Sequence, residues 1–473
     1  MIDIKKIKTS ILSFAFRGGL VDFPDKTKEN LDLEKIHNEN KKYVAVKNDE
    51  WLILPPEHWN WTRLAYITSN HGQITPLEAF CYIDVGTLDN AHQKLSKYEN
   101  IMEAKDAPSR AKKVVEYGDV LYSTVRPYLH NVCIVDKEFS KTPIASTAFC
   151  VMKVNEEVLL NKFLFYWLIS VEFDRFSNGN PSKGTLYPAI GEKDLLNGVI
   201  PLPSIKEQQE IVVKIDEVFN ALDELDCIQM SYLADIEVLK AKLIDAGIRG
   251  NLTVQLPEDG TAEDLYTEIQ IEKAKIFEQR NSREDKKIKV VEDDVPFVVP
   301  GHWKWIRLGD IGLFKKGPFG SALTKSMFVK KGMDTVKVYE QQHAIKKEWE
   351  LGTYYITREY FNEKMSGFEV MSGDIIVSCA GTIGETYIMP DEIEQGIINQ
   401  ALMRVTLAEG IDKKFFQYYF DANLKKSAQE ESNGSAIKNI PPFDVLKNWY
   451  FPLTSIEEQR RIVSKIDEIL ACM

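Results

Sequence analysis

Few stretches of this 473-residue chain have the residue types and spacing that catalysis would need. Ile440-Pro441-Pro442-Phe443 imitates the tetrad with which amino-methyltransferases hold a target amine, but Ile440 stands where Asp, Asn or Ser would supply the acceptor. No glycine-rich methyl-donor loop accompanies it. Gly381-Thr382-Ile383-Gly384 lacks the lysine and spacing with which a phosphate loop grips a nucleotide, and reads as a strand-connecting turn. Asp119 and Asp374 could be imagined as nuclease carboxylates, yet each follows a glycine, Gly118 and Gly373, which is tight-turn chemistry. No HExxH occurs. The six cysteines (Cys81, Cys133, Cys150, Cys227, Cys379, Cys472) form no CxxC pair and are read as small packed hydrophobes, so no metal site is expected. A non-catalytic chain is the expectation.

What remains is positive charge in polar or glycine-containing segments. Lys112, Lys113, Arg126 and Lys183, with Lys315, Lys316, Lys325, Lys330 and Lys331, could reach phosphates or guanine edges of a nucleic acid. Between Lys304 and Lys347 ten positive residues face three negative ones. The net charge of −12 does not oppose this, because −10 of it lies in residues 204–301 while 58–203 and 302–453 carry −1 and 0.

The element that must position these charges is a long helix. Ser204 to Ala246 contains no Pro or Gly, and Ile211, Ile215, Val218, Leu222, Leu225, Ile236, Leu239 and Leu243 recur in alternating steps of four and three, with Gln229 and Tyr232 filling the gaps. Ser204 with Glu207 reads as a capping box. So narrow a seam asks for a partner helix. Pro201–Val218 returns as Pro452–Ile469, identical at 12 of 18 positions, with Ile462, Ile466 and Ile469 on the seam and Ser455 with Glu458 at the cap. Ile236, Leu239 and Leu243 find matching spacing in Ile4, Ile7 and Ile11. The two termini laid end to end therefore rebuild the central element, giving a nearly circular, pseudo-two-fold array.

Other landmarks are also duplicated. His58, Trp59, Trp61, Arg63 and Leu64 match His302, Trp303, Trp305, Arg307 and Leu308, and tryptophans two apart suit a half-buried strand. Late in each block an aromatic stretch, Lys162–Leu168 and Lys414–Phe420, reads as a core helix. The expected organisation is 1–22 N-terminal helical piece, 23–57 connector, 58–203 first globular domain, 204–250 central helix, 251–301 acidic linker, 302–453 second globular domain and 454–473 C-terminal helical piece. The fold class is α+β, two similar domains separated by a long antiparallel coiled-coil spacer. No apolar run is long enough to cross a membrane and no signal peptide is evident, so a cytoplasmic protein is expected.

Two weakly similar domains, each opening on an HWxWxRL-like strand and closing on a P-L-x-S-I-x-E-Q-x-x-I-V-x-K-I-D-E helix, resemble the specificity subunit of type I restriction-modification enzymes over essentially the whole chain. The resemblance implies that each block is a target-recognition domain reading one half of a split, asymmetric site on double-stranded DNA. It implies a helical spacer that docks two modification subunits, through Ile4, Ile7, Ile11, Ile211, Ile215, Val218, Leu222, Leu225, Ile236, Leu239, Leu243, Ile462, Ile466 and Ile469. S-adenosylmethionine, and ATP with Mg for a restriction/translocase subunit, would then belong to the partners. A specificity subunit of a related bifunctional restriction system and a coiled-coil scaffold without a DNA role are the alternatives.

Overall fold

The computed structural model describes residues 1–22, 24, 44–96, 99–179, 189–282, 288–291, 295–431 and 440–473, the side chains of 425–431 excepted. Its helices used below are α1 (Ile4–Phe16), α2 (Asn161–Leu168), α3 (Ile205–Ile248), α4 (Ala262–Gln279), α5 (Lys413–Glu431) and α6 (Ile456–Ala471). The chain divides into two compact units, Met1–Ser231 and Tyr232–Met473, and the division falls inside α3.

In the first unit, the HWxW strand Asn60–Arg63 pairs antiparallel with Val199–Leu202, the strand that leads into α3. One four-stranded sheet orders Thr68–Ser69, Phe149–Val154, Val120–Ser123 and Val132–Ile134, all antiparallel. A second orders Ile101–Met102, Phe80–Ile83, Pro143–Ser146 and Ala111–Val114, with its two central strands parallel. The second unit repeats this plan. Lys304–Arg307 pairs with Tyr450–Leu453; one sheet orders Gly312–Lys316, Leu402–Leu407, Ile375–Ser378 and Thr386–Ile388; the other orders Tyr355–Thr357, Thr335–Tyr339, Gly396–Ile398 and Glu369–Val370, again with a parallel central pair.

Each core is built around an aromatic helix. Phe163 and Trp167 of α2 are fully buried with Phe16, Ile211 and Ile215, and Phe415, Phe416 and Tyr419 of α5 are buried with Ile462 and Ile466. Trp59, Trp61 and Trp303 of the HWxW strands are buried in this interior, while Trp305 is half-buried against Phe297 and Tyr450.

In the first unit α1 lies antiparallel to the first part of α3. Lys8 pairs with Asp223 at 2.5 Å and lies over the Phe219 ring, while the Ile2 amide donates to Gln229 Oε1 at 2.8 Å. In the second unit α6 lies antiparallel to the last part of α3: a Cβ on Gly247 would stand 2.9 Å from Ile462 and 3.0 Å from Ile466, and Tyr232 reaches the Met473 carbonyl. Each terminus therefore supplies a partner helix.

Four expectations change, the last of them at the helix caps. Beyond Gln229 the sheltered stripe of α3 runs through Leu233, Ile236, Lys240, Leu243 and Gly247, leaving Tyr232 and Leu239 exposed. A straight helix drifts about 20° per heptad against a 3.5-residue repeat, which moves the stripe by one position. The stretch expected as an acidic linker contains α4, whose Ile269, Ile276 and Phe277 are buried in the second core and whose following residue Arg280 binds Asp374. The apolar spacing at Leu265, Ile269 and Ile276 outweighs the acidity, because most of the charges are exposed; Lys273, buried on the packed face, pairs with Asp310 at 3.6 Å. In addition, Cys227 and Cys472 are exposed free thiols; the other four cysteines are buried.

The capping boxes form only in half. Ser204 and Ser455 accept from the Glu207 and Glu458 amides at 3.3 and 3.2 Å. The glutamate side chains turn instead to the HWxW strands: Glu207 accepts from Trp59 Nε1 at 2.9 Å and meets His58 at 3.1 Å, while Glu458 accepts from Trp303 Nε1 at 3.1 Å and meets His302 at 3.1 Å. A buried indole N–H left without an acceptor is costly, so it captures the carboxylate. Replacing Glu458 by Ala is expected to destabilise the second unit by about 3 kcal/mol, whereas the exposed neighbour Glu457→Ala is neutral; urea unfolding of both variants checks this.

Candidate nucleic-acid interface

The repeated helix starts carry a polar clamp that fixes each to its own domain. Gln208, fully buried, accepts from the Leu160 amide at 3.0 Å and donates to the Val158 and Pro203 carbonyls; Gln459 does the same with the Asp412 amide and the Gly410 and Thr454 carbonyls. Two turns on, Asp216 accepts from Tyr166 at 2.5 Å and Lys162 at 2.7 Å, and Asp467 accepts from Tyr418 at 2.5 Å and Lys414 at 2.6 Å. The Glu-Gln and Lys-Ile-Asp-Glu identities thus record a docking joint between helix and domain as well as a seam. The Lys-x-x-x-Tyr spacing in both aromatic helices was the visible signal for it, since residues four apart share a helix face.

Burial alone would raise the Asp467 pKa, but the hydrogen bonds from Lys414 and Tyr418 outweigh it and hold the carboxyl below its ordinary 3.8. The Tyr418 hydroxyl is pushed far up by burial and by the carboxylate it binds.

The turn reading of Asp119 and Asp374 holds. Gly118 and Gly373 adopt φ of +89° and +78°, and the carboxylates accept from the Glu116 and Met371 amides at 2.7 and 2.8 Å. Asp119 also meets His71, and burial raises its pKa.

The basic residues fare unequally. Lys113 is buried, its ammonium bound to Glu192 at 2.5 Å, so it is not available to a phosphate; its place in a strand with alternate burial turns it inward. Lys112 is half-buried and donates to Thr75 at 2.7 Å. Arg126 is half-buried with a left-handed backbone ahead of Pro127. Lys183 lies outside the described residues. In the second unit Lys315 is half-buried over the Phe368 ring, and its pKa is lowered by burial and then by Arg404. Lys331 is exposed but paired with Glu394 at 2.8 Å. Lys316, Lys325 and Lys330 are exposed and, among the described residues, make no ion pair. Residues 311–333 carry five lysines and no carboxylate. Among the described candidates, the three lysines that are both exposed and without an ionic partner, Lys316, Lys325 and Lys330, all lie along the segment joining the two sheets of the second unit.

A model of the type I restriction modification DNA specificity domain matches residues 71–227 and again residues 300–473. The chain belongs to this family. Its two specificity domains coincide with the two repeats of sheet pair, aromatic helix and clamp. The EcoDI type I restriction enzyme specificity subunit of Escherichia coli is 25% identical over 255 residues, 53% of this chain and 54% of that one, so the chain spans about half the length of that relative in the alignment. The EcoAI specificity subunit of Escherichia coli is 21% identical over 541 aligned positions, covering 99% of this chain and 89% of that one. Among solved structures, a chain from work on complex assembly and conformational transition of the type I R-M system matches with a TM-score of 0.65 at 23% identity, covering 88% of this chain and 91% of that chain. The HsdS subunit from Thermoanaerobacter tengcongensis matches with a TM-score of 0.50, also at 23% identity, over 89% and 92%. These likenesses establish the shared fold.

Among the described residues no helix is long and apolar enough to cross a membrane and no cluster of metal-ligating side chains occurs. The clamp gives a pH dependence with a definite sign. Because Asp467 is depressed, its contribution to stability is complete above 3.8 and is lost as pH falls through the lower folded value. The stability gap between the native chain and Asp467→Asn, read from urea midpoints across pH, is therefore expected to be constant at neutral pH and to close in acid.

Proposed function

We infer that the chain is the DNA-reading subunit of a type I restriction-modification complex. Each specificity domain reads one part of a split target on double-stranded DNA, and the chain performs no chemistry itself. Modification subunits supply S-adenosylmethionine and the methyl transfer; a restriction/translocase subunit, where one assembles, supplies ATP and Mg. The observation that carries this reading is the match of the DNA specificity domain to two structural repeats that keep an identical helix joint while differing in the loops and charges they present. A fixed joint with variable loops suits two readers of unlike sequences, since base edges are discriminated by the side chains that reach them.

Binding of fluorescent duplexes tests the reading. Affinity is expected to fall steeply with salt and to discriminate between sequences. Each of Lys316→Ala, Lys325→Ala and Lys330→Ala lowers the log–log salt slope by about 0.9 where it removes a phosphate contact. Unchanged slopes in all three would place the phosphate contacts elsewhere.

The acidic central helix fits a basic protein partner. Asp223 is already held by Lys8, so its reversal would also remove an ion pair between α1 and α3. Glu224 and Asp226 are exposed. Glu224→Lys combined with Asp226→Lys is expected to weaken co-purification with the modification subunit at low salt without changing thermal stability. Unchanged assembly removes the electrostatic component.

A further inference from the structure

In each unit the segment that crosses from one four-stranded sheet to the other presents the same device. The first crossover joins Thr68–Ser69 to Phe80–Ile83, and the second joins Gly312–Lys316 to Thr335–Tyr339. Each contains a buried proline, Pro76 or Pro318, followed by a large apolar residue that is almost fully exposed: Leu77 at 89% and Phe319 at 89%. Single exposed apolar residues need no explanation. Two at equivalent crossovers, each held out by a buried proline, do, because leaving such a side chain in water forgoes roughly 1.5–3 kcal/mol of burial.

Both tips are fixed at their bases. In the first unit the Ile74 amide donates to the Lys112 carbonyl at 2.8 Å, Gln73 bridges Lys113, and the Lys112 ammonium donates to Thr75, two residues before Leu77. In the second the Gly317 amide donates to the Leu402 carbonyl at 2.9 Å, and a Cβ on Gly317 would stand 1.8 Å from the Asn399 carbonyl oxygen, so the chain is pressed flat on the sheet just before Pro318. After the tip the Ala322 amide closes a turn onto the Phe319 carbonyl at 2.8 Å, and Leu323 is buried in an apolar cluster. Proline fixes φ and the anchors fix the chain just before each tip, so each apolar side chain is held out with little freedom left to lose on binding.

The charge beside the second tip selects the occupant. Phe319 sits within the 23-residue stretch that carries five lysines and no carboxylate, whereas Leu77 is followed by the exposed Glu78, and the nearest cation on its crossover is the Lys112 ammonium bound to Thr75. Charge therefore speaks for Phe319, and Leu77 follows from its equivalent place after a buried proline. An apolar point set among cations fits duplex DNA, whose phosphates meet the lysines and whose base edges and thymine methyls meet the apolar tip. We propose that Leu77 and Phe319 are base-contacting specificity residues, one for each part of the split target. This rests on the DNA-reading function inferred above.

The test uses the full chain. Duplexes are selected from a random pool by the native protein, and binding of Leu77→Ser and Phe319→Ser is then measured against every single-base variant of the selected target. Both side chains are exposed, so both variants should keep the native melting temperature. Each is expected to lose about tenfold of its preference at base pairs confined to one part of the target, a different part for each variant, with the salt slope unchanged. Native base preference at every position in both variants, or loss in the same part for both, overturns the proposal. A native chain that selects no sequence from the pool overturns the DNA-reading function itself, so the two failures are distinct.

Discussion

The structure depends on a buried carboxylate that accepts a tryptophan N–H. Glu207 and Glu458 each stand at the third position after a helix-capping serine, where a glutamate would ordinarily fold back on its own helix end. Here each bonds the indole of the strand that opens its domain. That contact ties the first strand of a domain to the helix that follows its last strand, and the antiparallel pairs Asn60–Arg63 with Val199–Leu202 and Lys304–Arg307 with Tyr450–Leu453 complete the closure. The aromatic helix, the buried glutamine and the Tyr–Asp–Lys group then have a fixed surface to pack on.

Such a joint explains why the repeats are so uneven. The residues that match between the copies hold the helix to the domain, and buried polar groups tolerate little substitution because each donor must keep its acceptor. The sheets need only apolar alternation, which many sequences satisfy. The crossovers need less still beyond a proline and anchored ends. Between the two repeats of this chain, that gradient leaves the joint alike and lets the sheets and crossovers differ.

Charge follows the same division. The acidic residues gathered on the central helix are largely exposed, while the second crossover concentrates lysines with no carboxylate of its own, Lys331 alone of its exposed lysines being paired, with Glu394. Charges of opposite sign on separate surfaces of one chain suit two classes of partner, since screened electrostatics acts over about 10 Å and is read locally. Net charge alone would have hidden both.

The sequence by itself determined the duplication, the long central helix, the helical role of both termini, the core role of three of the four HWxW tryptophans and the absence of a recognisable catalytic motif, because each is written in spacing or identity along the chain. It did not determine what Glu207, Asp216 and their repeats bind, that Lys113 turns inward to Glu192, that the acidic linker holds a packed helix, or that Leu239 leaves the seam. Nor did it single out Leu77 and Phe319. Those outcomes depend on which strands lie side by side and on how a straight helix drifts against a seven-residue pattern. Contacts between residues some 150 positions apart carry no local signal, and only the folded chain decides them.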